Sequence, residues 1–298
     1  MAEHIRYAHN GSVDIAFETF GDTATGEPML LIMGLDFQMV WWPETLIERF
    51  VDAGYAVVRF DNRDTGLSTS FGSLAKPSVW KGLMGRTQPA YTTADMLADI
   101  EAVMDAVGWD SAHVMGGSMG SGIAQDLAME RPKLVRSLVC AMGIPADAGT
   151  LRTLRYIRPG IFRTLARISP GDSTDSQVRA LVEIYRAVAS PGYPFPEEWA
   201  RKAARTSVER AAYDPAITQR QLAASRAHEH GDLGGIAVPT TVISGADDPL
   251  IRWQAGRDTA ARIPGARFVK LPGMGHNIPA ELFDRVVGEV VRVSRAGR

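Results

Sequence analysis

Residues 116–120 read Gly116-Gly117-Ser118-Met119-Gly120, a G-x-S-x-G pentapeptide between two regular patterns. The apolar run Ala112–Gly117 predicts a buried strand, and Met119–Glu130 predicts a helix. A serine in such a strand-to-helix turn adopts strained backbone angles, and small neighbours let the chain fold back. We therefore expect Ser118 to be a nucleophile raised above a sheet. The glycines of this turn are Gly116, Gly117 and Gly120.

Apolar runs on both sides of this turn alternate with helical patterns. The predicted strands are Pro28–Met33, Tyr55–Phe60, Leu134–Met142, Pro239–Gly245 and Ala266–Leu271, with two short strands around Asn10-Gly11. The predicted helices are Pro43–Ala53, 92–107, Trp253–Ile263 and Pro279–Val293. Continuous apolar runs suit strands that are buried on both faces, as in parallel sheets. The alternation therefore predicts an α/β fold with a mostly parallel, doubly wound sheet.

Two stretches interrupt this alternation. Residues 62–89 are loop-like, rich in Gly, Ser and Thr, with only hints of helix. Residues 146–232 show helical periodicity and several Pro-Gly pairs but no convincing strand. We therefore expect an α/β core formed by 1–145 and 233–298, interrupted by a helical cap over 146–232.

A serine hydroxyl needs a general base, and that base needs a carboxylate to orient it. The loops after two later predicted strands can supply both groups. His276 follows the last predicted strand in the glycine-flanked sequence Pro272-Gly273-Met274-Gly275-His276. Asp247 and Asp248 follow the strand before it, and either carboxylate can orient an imidazole. Asp147, after the fourth core strand, is a weaker alternative.

Attack on a carbonyl also creates an oxyanion, which needs backbone N–H donors. One donor is expected directly after the nucleophile, at Met119. A second is expected in the loop after the early strand, which reads Met33-Gly34-Leu35-Asp36. Within that loop the expected donor is the N–H of Leu35.

Five blocks together resemble the α/β-hydrolase fold family over nearly the whole chain, and they stand in the family's order. They are Met33-Gly34-Leu35, the sequence DNRDTGLS at 61–68, the Ser118 turn, Gly245–Pro249 and Gly273–His276. Within the family the chain looks most like capped serine esterases of the aclacinomycin methylesterase type. Those esterases share the Asp-x-Arg-Asp-Thr-Gly-x-Ser block and a Met-Gly oxyanion loop. Many other relatives have His-Gly in place of Met33-Gly34, and Arg-Gly in place of Arg63-Asp64.

This resemblance implies hydrolysis of carboxylic esters through an acyl-enzyme. It implies a triad of Ser118, His276 and Asp248, with the N–H groups of Leu35 and Met119 as the oxyanion hole. Position 248 is preferred over 247 because the family's acid commonly stands just before such a proline. The 61–68 block is expected to join loops by hydrogen bonds rather than to contact substrate. The expected partners are a small-molecule ester and water, in a monomer or homodimer.

The predicted cap offers candidate pocket residues, although aromatic side chains at helical spacing are also common in plain cores. The expected pocket residues are Tyr156, Phe162, Tyr185 and Trp199 in the cap, together with Asp36 and Asn277 from the core. Further cap aromatics are Tyr193, Phe195 and Tyr213. A run of arginines in the cap is expected to be a solvated face rather than a site for an anion or a lipid surface. These arginines are Arg152, Arg155, Arg158, Arg163 and Arg167.

Composition excludes several other classes of protein. A content of 45% hydrophobic and 22% charged residues is that of a soluble globular chain. A net charge of −2 leaves no overall basic field for nucleic acid. No targeting segment and no apolar run of membrane-spanning length is evident, so a cytoplasmic protein is expected. The single cysteine, Cys140, lies in an apolar run and is expected to be a buried structural thiol.

No cofactor or metal is expected. No G-x-G-x-x-G follows the first strand, and there is no phosphate-binding loop. In His228-Glu229-His230, two histidines two apart on a helix would point to different faces, and the H-E-x-x-H spacing is absent. We therefore expect no metal site at this sequence.

Other chemistry on the same scaffold remains open. A carbon–carbon bond hydrolase, lactonase, amidase, acyltransferase or perhydrolase can use the same triad. A catalytically silent ligand-binding or receptor protein can also share the fold. A haloalkane dehalogenase or epoxide hydrolase would need an aspartate where Ser118 stands.

Overall fold

The fold is known from a computed structural model that describes residues 5–72, 89–211, 214 and 216–296. Most of the predicted loop-like stretch at 62–89 lies outside the described residues, and so does Tyr213.

Eight strands form one sheet, and the apolar runs of the sequence supply its centre. The strands are β1 (Arg6–Asn10), β2 (Val13–Phe20), β3 (Glu27–Ile32), β4 (Tyr55–Phe60), β5 (Ala112–Gly117), β6 (Val135–Ala141), β7 (Thr240–Gly245) and β8 (Arg267–Leu271). Their order across the sheet is β1-β2-β4-β3-β5-β6-β7-β8. Strands β1 and β2 pair antiparallel with their neighbours, and every pair from β4 to β8 is parallel.

Helices cover both faces of this sheet. One layer contains α2 (Thr93–Val107), α3 (Met119–Glu130) and α9 (Gln254–Arg262), and the other contains α1 (Glu44–Asp52) and α10 (Phe283–Ala296). Successive side chains of a strand point alternately toward the two helix layers. In β3, Leu30 and Ile32 pack in the first cluster, whereas Met29 and Leu31 pack in the second. The predicted doubly wound, mostly parallel α/β fold is confirmed.

The described part of the segment between β6 and β7 contains five α-helices and a short 3-10 helix, Leu233–Gly235. The α-helices are α4 (Thr150–Tyr156), α5 (Gly160–Leu165), α6 (Thr174–Val188), α7 (Glu197–Arg210) and α8 (Ile217–Ala227). No strand of the sheet occurs in the described part of this segment. Helices α6 and α7 pack on the core through a third apolar cluster that includes Trp41, Val182, Tyr185 and Ala204.

The strand register brings the loops that carry the candidate catalytic residues to one edge of the sheet. Ile32 of β3 pairs with Gly116 of β5, and Gly117 pairs with Ala141 of β6. Gly245 of β7 pairs with Leu271 of β8. Because these strands are parallel, their carboxyl ends meet, and so do the loops that follow them.

Two expectations from composition can be compared with the structure. Among the described residues, no helix is both long enough and apolar enough to cross a membrane. Cys140 is a buried free cysteine of β6, and burial raises the pKa of its thiol to about 12, against a hydrogen bond with Ser121. Burial of this cysteine agrees with the predicted structural thiol, and a raised pKa disfavours the reactive thiolate form.

Candidate active site

The turn around Ser118 has the strained geometry expected of a strand-to-helix nucleophile. Ser118 has φ 54° and ψ −118°, in a region that non-glycine residues rarely adopt, and it directly precedes α3. A Cβ atom added at Gly116 would lie 2.1 Å from the carbonyl oxygen of Gly120. One added at Gly120 would lie 2.2 Å from the carbonyl oxygen of Ile32. Both positions therefore require glycine, whereas Gly117 faces Trp42 at an ordinary 3.5 Å.

Three side chains from three different loops form a hydrogen-bonded chain. His276 Nε2 lies 2.8 Å from Ser118 Oγ, and His276 Nδ1 lies 2.7 Å from Asp248 Oδ2. The other carboxylate oxygen of Asp248 accepts the N–H groups of Leu250 and Ile251 at 2.7 and 2.8 Å. The carboxylate accepts a hydrogen bond from Nδ1–H, and in this tautomer Nε2 carries a lone pair toward the serine hydroxyl.

The sequence left three aspartates open for this position, and their contacts separate them. Asp247 accepts the backbone N–H of Gly273 at 2.8 Å, so it braces the loop that carries His276. Asp147 forms an ion pair with Arg262. Among the described residues, only Asp248 contacts the imidazole of His276 through a carboxylate.

The loop after β3 lies directly against the serine. A Cβ atom added at Gly34 would lie 3.1 Å from Ser118 Cβ and 3.7 Å from Ser118 Oγ. Asn62 Nδ2 donates to the carbonyl oxygen of Met33 at 3.0 Å and holds the start of this loop. Within the described part of the chain, the N–H groups of Leu35 and Met119 have no protein acceptor. Both donors are therefore available to a ligand at Ser118.

Asp36 joins the same loop to helix α8. Its backbone N–H donates to Gln221 Oε1 at 2.9 Å, and Thr218 Oγ1 donates to its carboxylate at 3.0 Å. Its φ of 68° is left-handed, a conformation that aspartate and asparagine tolerate better than most residues. Burial raises the pKa of Asp36 to about 6, and the negative charges of Asp214 and Asp64 act in the same direction.

Residues just after α6 hold the loop that carries His276. The backbone N–H of Gly275 donates to Ser190 Oγ at 2.8 Å. The backbone N–H of Ser190 donates to Asn277 Oδ1 at 2.7 Å, and Asn277 Nδ2 donates to the hydroxyl of Tyr185 at 3.1 Å. Asn277 is buried, and its side chain braces this loop. Sequence analysis missed Ser190, because one serine between Ala189 and Pro191 carries no signal of a partner 85 residues away.

Two of the expected pocket aromatics share a cluster close to Asn277. The rings of Tyr185 and Trp199 lie 5.4 Å apart, and both contact Trp41, with centroids at 4.9 and 5.7 Å. Phe37, from the loop after β3, packs edge-on against Trp41 at 4.8 Å. Trp41 and Tyr185 are buried in this cluster, whereas Trp199 and Phe37 are only half-buried.

The other two expected pocket aromatics lie elsewhere. The hydroxyl of Tyr156 donates to Asp258 Oδ2 at 2.9 Å, beside a surface cavity of about 880 Å³. None of the described residues that line this cavity belongs to the group around Ser118. Phe162 is 56% exposed on α5. The helical pattern predicts that both aromatic residues lie on helices, but it does not predict which surface of the protein they face. Of the five arginines predicted to form a solvated face, Arg152, Arg155, Arg163 and Arg167 are exposed, whereas Arg158 is half-buried.

The 61–68 block joins loops together, and this prediction is confirmed. Arg63 binds both carboxylate oxygens of Asp99 on α2, at 2.6 and 2.7 Å. Asp61 Oδ1 accepts the N–H of Met39 at 2.7 Å, which fixes the far end of the loop after β3. A Cβ atom added at Gly66 would lie 2.2 Å from the Asp61 carboxylate, so this turn also requires glycine.

The same block also receives two arginines from the inserted helices, which sequence analysis missed. Arg210 at the end of α7 pairs with Asp61 at 2.5 Å, and Arg220 of α8 pairs with Asp64 at 2.5 and 2.9 Å. All four side chains are at most 9% exposed. Burial raises the pKa of Asp61, and the charge of Arg210 opposes that rise. These two ion pairs fasten helices α7 and α8 above the loops around Ser118.

The expected geometry of His228 and His230 was wrong. Helix α8 ends at Ala227, and His228 has the extended angles φ −83° and ψ 137°. Side chains two apart in an extended segment point to the same side, not to different faces. The two imidazole rings accordingly lie 5.0 Å apart.

Comparisons with known proteins agree with this architecture. A profile of the alpha/beta hydrolase fold family matches residues 27–281. The chain is 28% identical to the rhodomycin D methylesterase DnrP of Streptomyces peucetius, over 98% of both chains. It is 26% identical to the rhodomycin D methylesterase DauP of Streptomyces sp. (strain C5), over 94% of each.

Solved structures show the same fold. The 2-hydroxy-6-oxo-6-phenylhexa-2,4-dienoate hydrolase of Rhodococcus sp. strain RHA1 superposes with a TM-score of 0.73, at 17% identity, over 99% of this chain and 100% of that one. The resemblance predicted from the motifs, to the family and to its methylesterases, is confirmed.

Proposed function

This chain belongs to the α/β-hydrolase fold family, and we propose that it hydrolyses carboxylic esters with Ser118 as the nucleophile. The observation that carries the proposal is the arrangement of His276, with Nε2 2.8 Å from Ser118 Oγ and Nδ1 2.7 Å from Asp248. A base within hydrogen-bond reach of a hydroxyl, itself oriented by a carboxylate, is what serine acyl transfer needs.

In the first half of the reaction, Ser118 Oγ forms a bond to the ester carbonyl carbon. The hydroxyl proton passes to His276 Nε2, and Asp248 stabilises the imidazolium. The carbonyl oxygen becomes an oxyanion, which accepts hydrogen bonds from the N–H groups of Leu35 and Met119. Losing one such donor typically lowers the rate by about 10²- to 10³-fold.

The oxyanion then collapses, the carbon–oxygen bond to the leaving alcohol breaks, and that alcohol takes the proton from His276. In the second half, His276 removes a proton from water while the water oxygen attacks the acyl-enzyme. The acid is released, and the proton returns to Ser118 Oγ.

We propose that helices α4–α8 form a cap and that substrate binds between α6–α8 and the carboxyl edge of the sheet. The aromatic cluster of Trp41, Tyr185 and Trp199 supplies an apolar wall near His276, to which Asn277 links it. Leu35 and Met119, the proposed oxyanion donors, are half-buried, and so is Phe37, which packs against Trp41. Ligand sites commonly combine such apolar walls with a few polar groups.

We propose a methyl ester of a larger, partly apolar acid as the substrate class. Two relatives that match nearly the whole chain are methylesterases. In an ester with a small alcohol, the acyl group is the part that contacts the apolar wall. The cap would therefore determine specificity for the acid rather than for the alcohol.

The test compares methyl and p-nitrophenyl esters of acetate, butyrate, octanoate and decanoate. Ser118→Ala should lower turnover at least about 10³-fold. Ser121→Ala is the matched control, because it removes a hydroxyl one turn further along α3 that bonds Gln125 rather than His276. A fluorophosphonate should label the wild type and the control at Ser118.

The outcomes separate ester hydrolysis from its alternatives. Turnover that persists in Ser118→Ala contradicts the nucleophile assignment. Labelled Ser118 without ester turnover contradicts ester hydrolysis and favours a carbon–carbon hydrolase, lactonase, acyltransferase or perhydrolase. A folded protein with neither labelling nor turnover favours a ligand-binding role.

A further inference from the structure

A second cluster of ligating side chains joins α3 to the segment after α8. Its member on α3 is Asp126, eight residues after Ser118, which is about 12 Å of helix rise. One ligand atom from each of Asp126, His228 and His230 lies within 4.8 Å of the others. We propose that these three side chains bind a divalent transition-metal ion of the Zn²⁺ class. This site is separate from the proposed esterase chemistry and does not depend on it.

The contacts of His230 leave one ring nitrogen for a metal. His230 Nε2 lies 3.0 Å from the carbonyl oxygen of Ser225, and Nδ1 lies 2.9 Å from Asp126 Oδ1. Metal-binding histidines typically donate their other N–H to a carbonyl or carboxylate, as Nε2 does here. The nitrogen Nε2 therefore donates to the carbonyl oxygen, and a metal cation would lie between Nδ1 and Asp126.

His228 has an outer partner of its own. His228 Nε2 lies 2.6 Å from Glu130 Oε1. Glu130 stands four residues after Asp126, so both carboxylates lie on one face of α3. The two carboxylates together balance the charge of a divalent cation, with Asp126 as a ligand and Glu130 orienting His228.

Burial strengthens the argument for a cation. The side chains of Asp126, His228 and His230 are 2%, 9% and 17% exposed. A buried carboxylate needs a cationic partner, because its desolvation is costly. Two imidazoles beside one carboxylate suit zinc and its neighbours, whereas magnesium and calcium prefer oxygen ligands alone.

A metal here would connect two parts of the fold. Asp126 belongs to α3, the helix that begins after Ser118. The histidines lie between α8 and the buried Leu233 that leads into β7. The ion would therefore clamp the returning end of the inserted segment to the nucleophile helix, so we expect binding to raise the unfolding temperature.

The experiment measures Zn²⁺ binding by tag-free protein dialysed against a chelator, in competition with a chromophoric chelator. We expect one Zn²⁺ per chain. His230→Gln and Asp126→Asn should each weaken binding at least about tenfold, the lower end of the loss seen even for outer partners. Because Asp126 is buried, His228→Gln carries the test if Asp126→Asn does not fold. Co²⁺ should give visible absorption bands that these variants lack.

His9→Gln is the matched control. His9 Nδ1 lies 2.7 Å from Asp14, so the two residues form an exposed histidine–aspartate pair. This pair is far from the proposed metal site along the chain. This variant and Ser118→Ala should bind Zn²⁺ like the wild type and show the same rise in unfolding temperature. Absent stoichiometric binding, or equal binding by wild type and His230→Gln, would overturn the proposal.

Discussion

The backbone N–H of His276 donates to the carbonyl oxygen of Val188 at 2.9 Å. Val188 is the last residue of α6, so the inserted segment directly holds the histidine that faces Ser118. Gly192 N–H donates to the carbonyl oxygen of Gly273 at 2.9 Å and adds a second backbone link to the same loop. The segment between β6 and β7 therefore helps to position the imidazole of His276, in addition to any contact that it makes with substrate.

Ser190→Ala should lower kcat about 10- to 100-fold, because misplacement of a reacting group by about 1 Å has effects of this size. The change removes the acceptor of the Gly275 N–H and a partner of Asn277 without touching Ser118. KM should change little, which separates loss of positioning from loss of binding. Ser173→Ala, at the N-cap of α6, is the control: it should cost about 1 kcal/mol of stability and leave kcat intact. An unchanged kcat in Ser190→Ala would contradict this role.

The three candidate aspartates should differ in function as their contacts differ. Asp248→Asn should lower kcat by about 10³- to 10⁴-fold, because an amide favours the wrong imidazole tautomer. Asp247→Asn should have a smaller effect, since an amide oxygen can still accept the N–H of Gly273. Asp147→Asn should lower the unfolding temperature through loss of the Arg262 pair and leave kcat unchanged. Steady-state kinetics and thermal unfolding of the three variants check this order, and equal kinetic losses would refute it.

Much of the core could be predicted because buried strands appear in the sequence as continuous apolar runs. Strands β4 and β5 have the predicted bounds, and α3 also begins and ends as expected. These elements are continuous apolar runs or have a turn that only glycine permits, so local pattern and tertiary position agree. The 61–68 block was also interpreted correctly, because its polar residues lie in a turn between core elements.

Long-range pairing could not be predicted from the same patterns. Arg210 and Asp61 are 149 residues apart, and neither neighbourhood indicates the partner of the other. Tyr156 and Phe162 share the helical pattern of Tyr185, yet one lines a different cavity and the other is exposed. The error at His228 and His230 came from placing residues 228–230 on a helix, whereas α8 ends at Ala227, and this reversed the expected relative direction of the two side chains. Single-residue boundaries decide such directions, and periodicity does not fix them.

Asp36→Asn should stabilise the protein above pH 6 and have little effect near pH 4. The pKa of Asp36 is raised to about 6, so the fold favours its neutral form. Its favourable contribution is complete below the unfolded pKa of about 4 and is lost as the pH rises through 6. We expect a gain of about 1–3 kcal/mol at pH 8, from about 1.4 kcal/mol per pKa unit. Asparagine also tolerates the left-handed φ of this position.

The measurement is chemical unfolding of wild type and Asp36→Asn from pH 4 to pH 8. Asp22→Asn is a control of opposite sign, because hydrogen bonds from Thr25 and Ala24 lower the pKa of Asp22. That variant should lose stability at neutral pH and match the wild type in acid. A pH-independent difference for Asp36→Asn would show that ionisation of this carboxylate is not the cause.

Two glycines of α3 should respond in opposite ways to the same substitution. A Cβ atom at Gly120 would lie 2.2 Å from the carbonyl oxygen of Ile32 and 2.7 Å from that of Met33, and backbone cannot give way cheaply. Gly120→Ala should therefore cost several kcal/mol or prevent folding, as overpacking against backbone does. At Gly122, nothing lies within 4 Å of an added Cβ. Gly122→Ala should then stabilise by about 0.5–1 kcal/mol, since alanine is the better helix former. Unfolding free energies of the two variants check the pair, and a stable, active Gly120→Ala would mean that α3 does not approach β3 as closely as this structure requires.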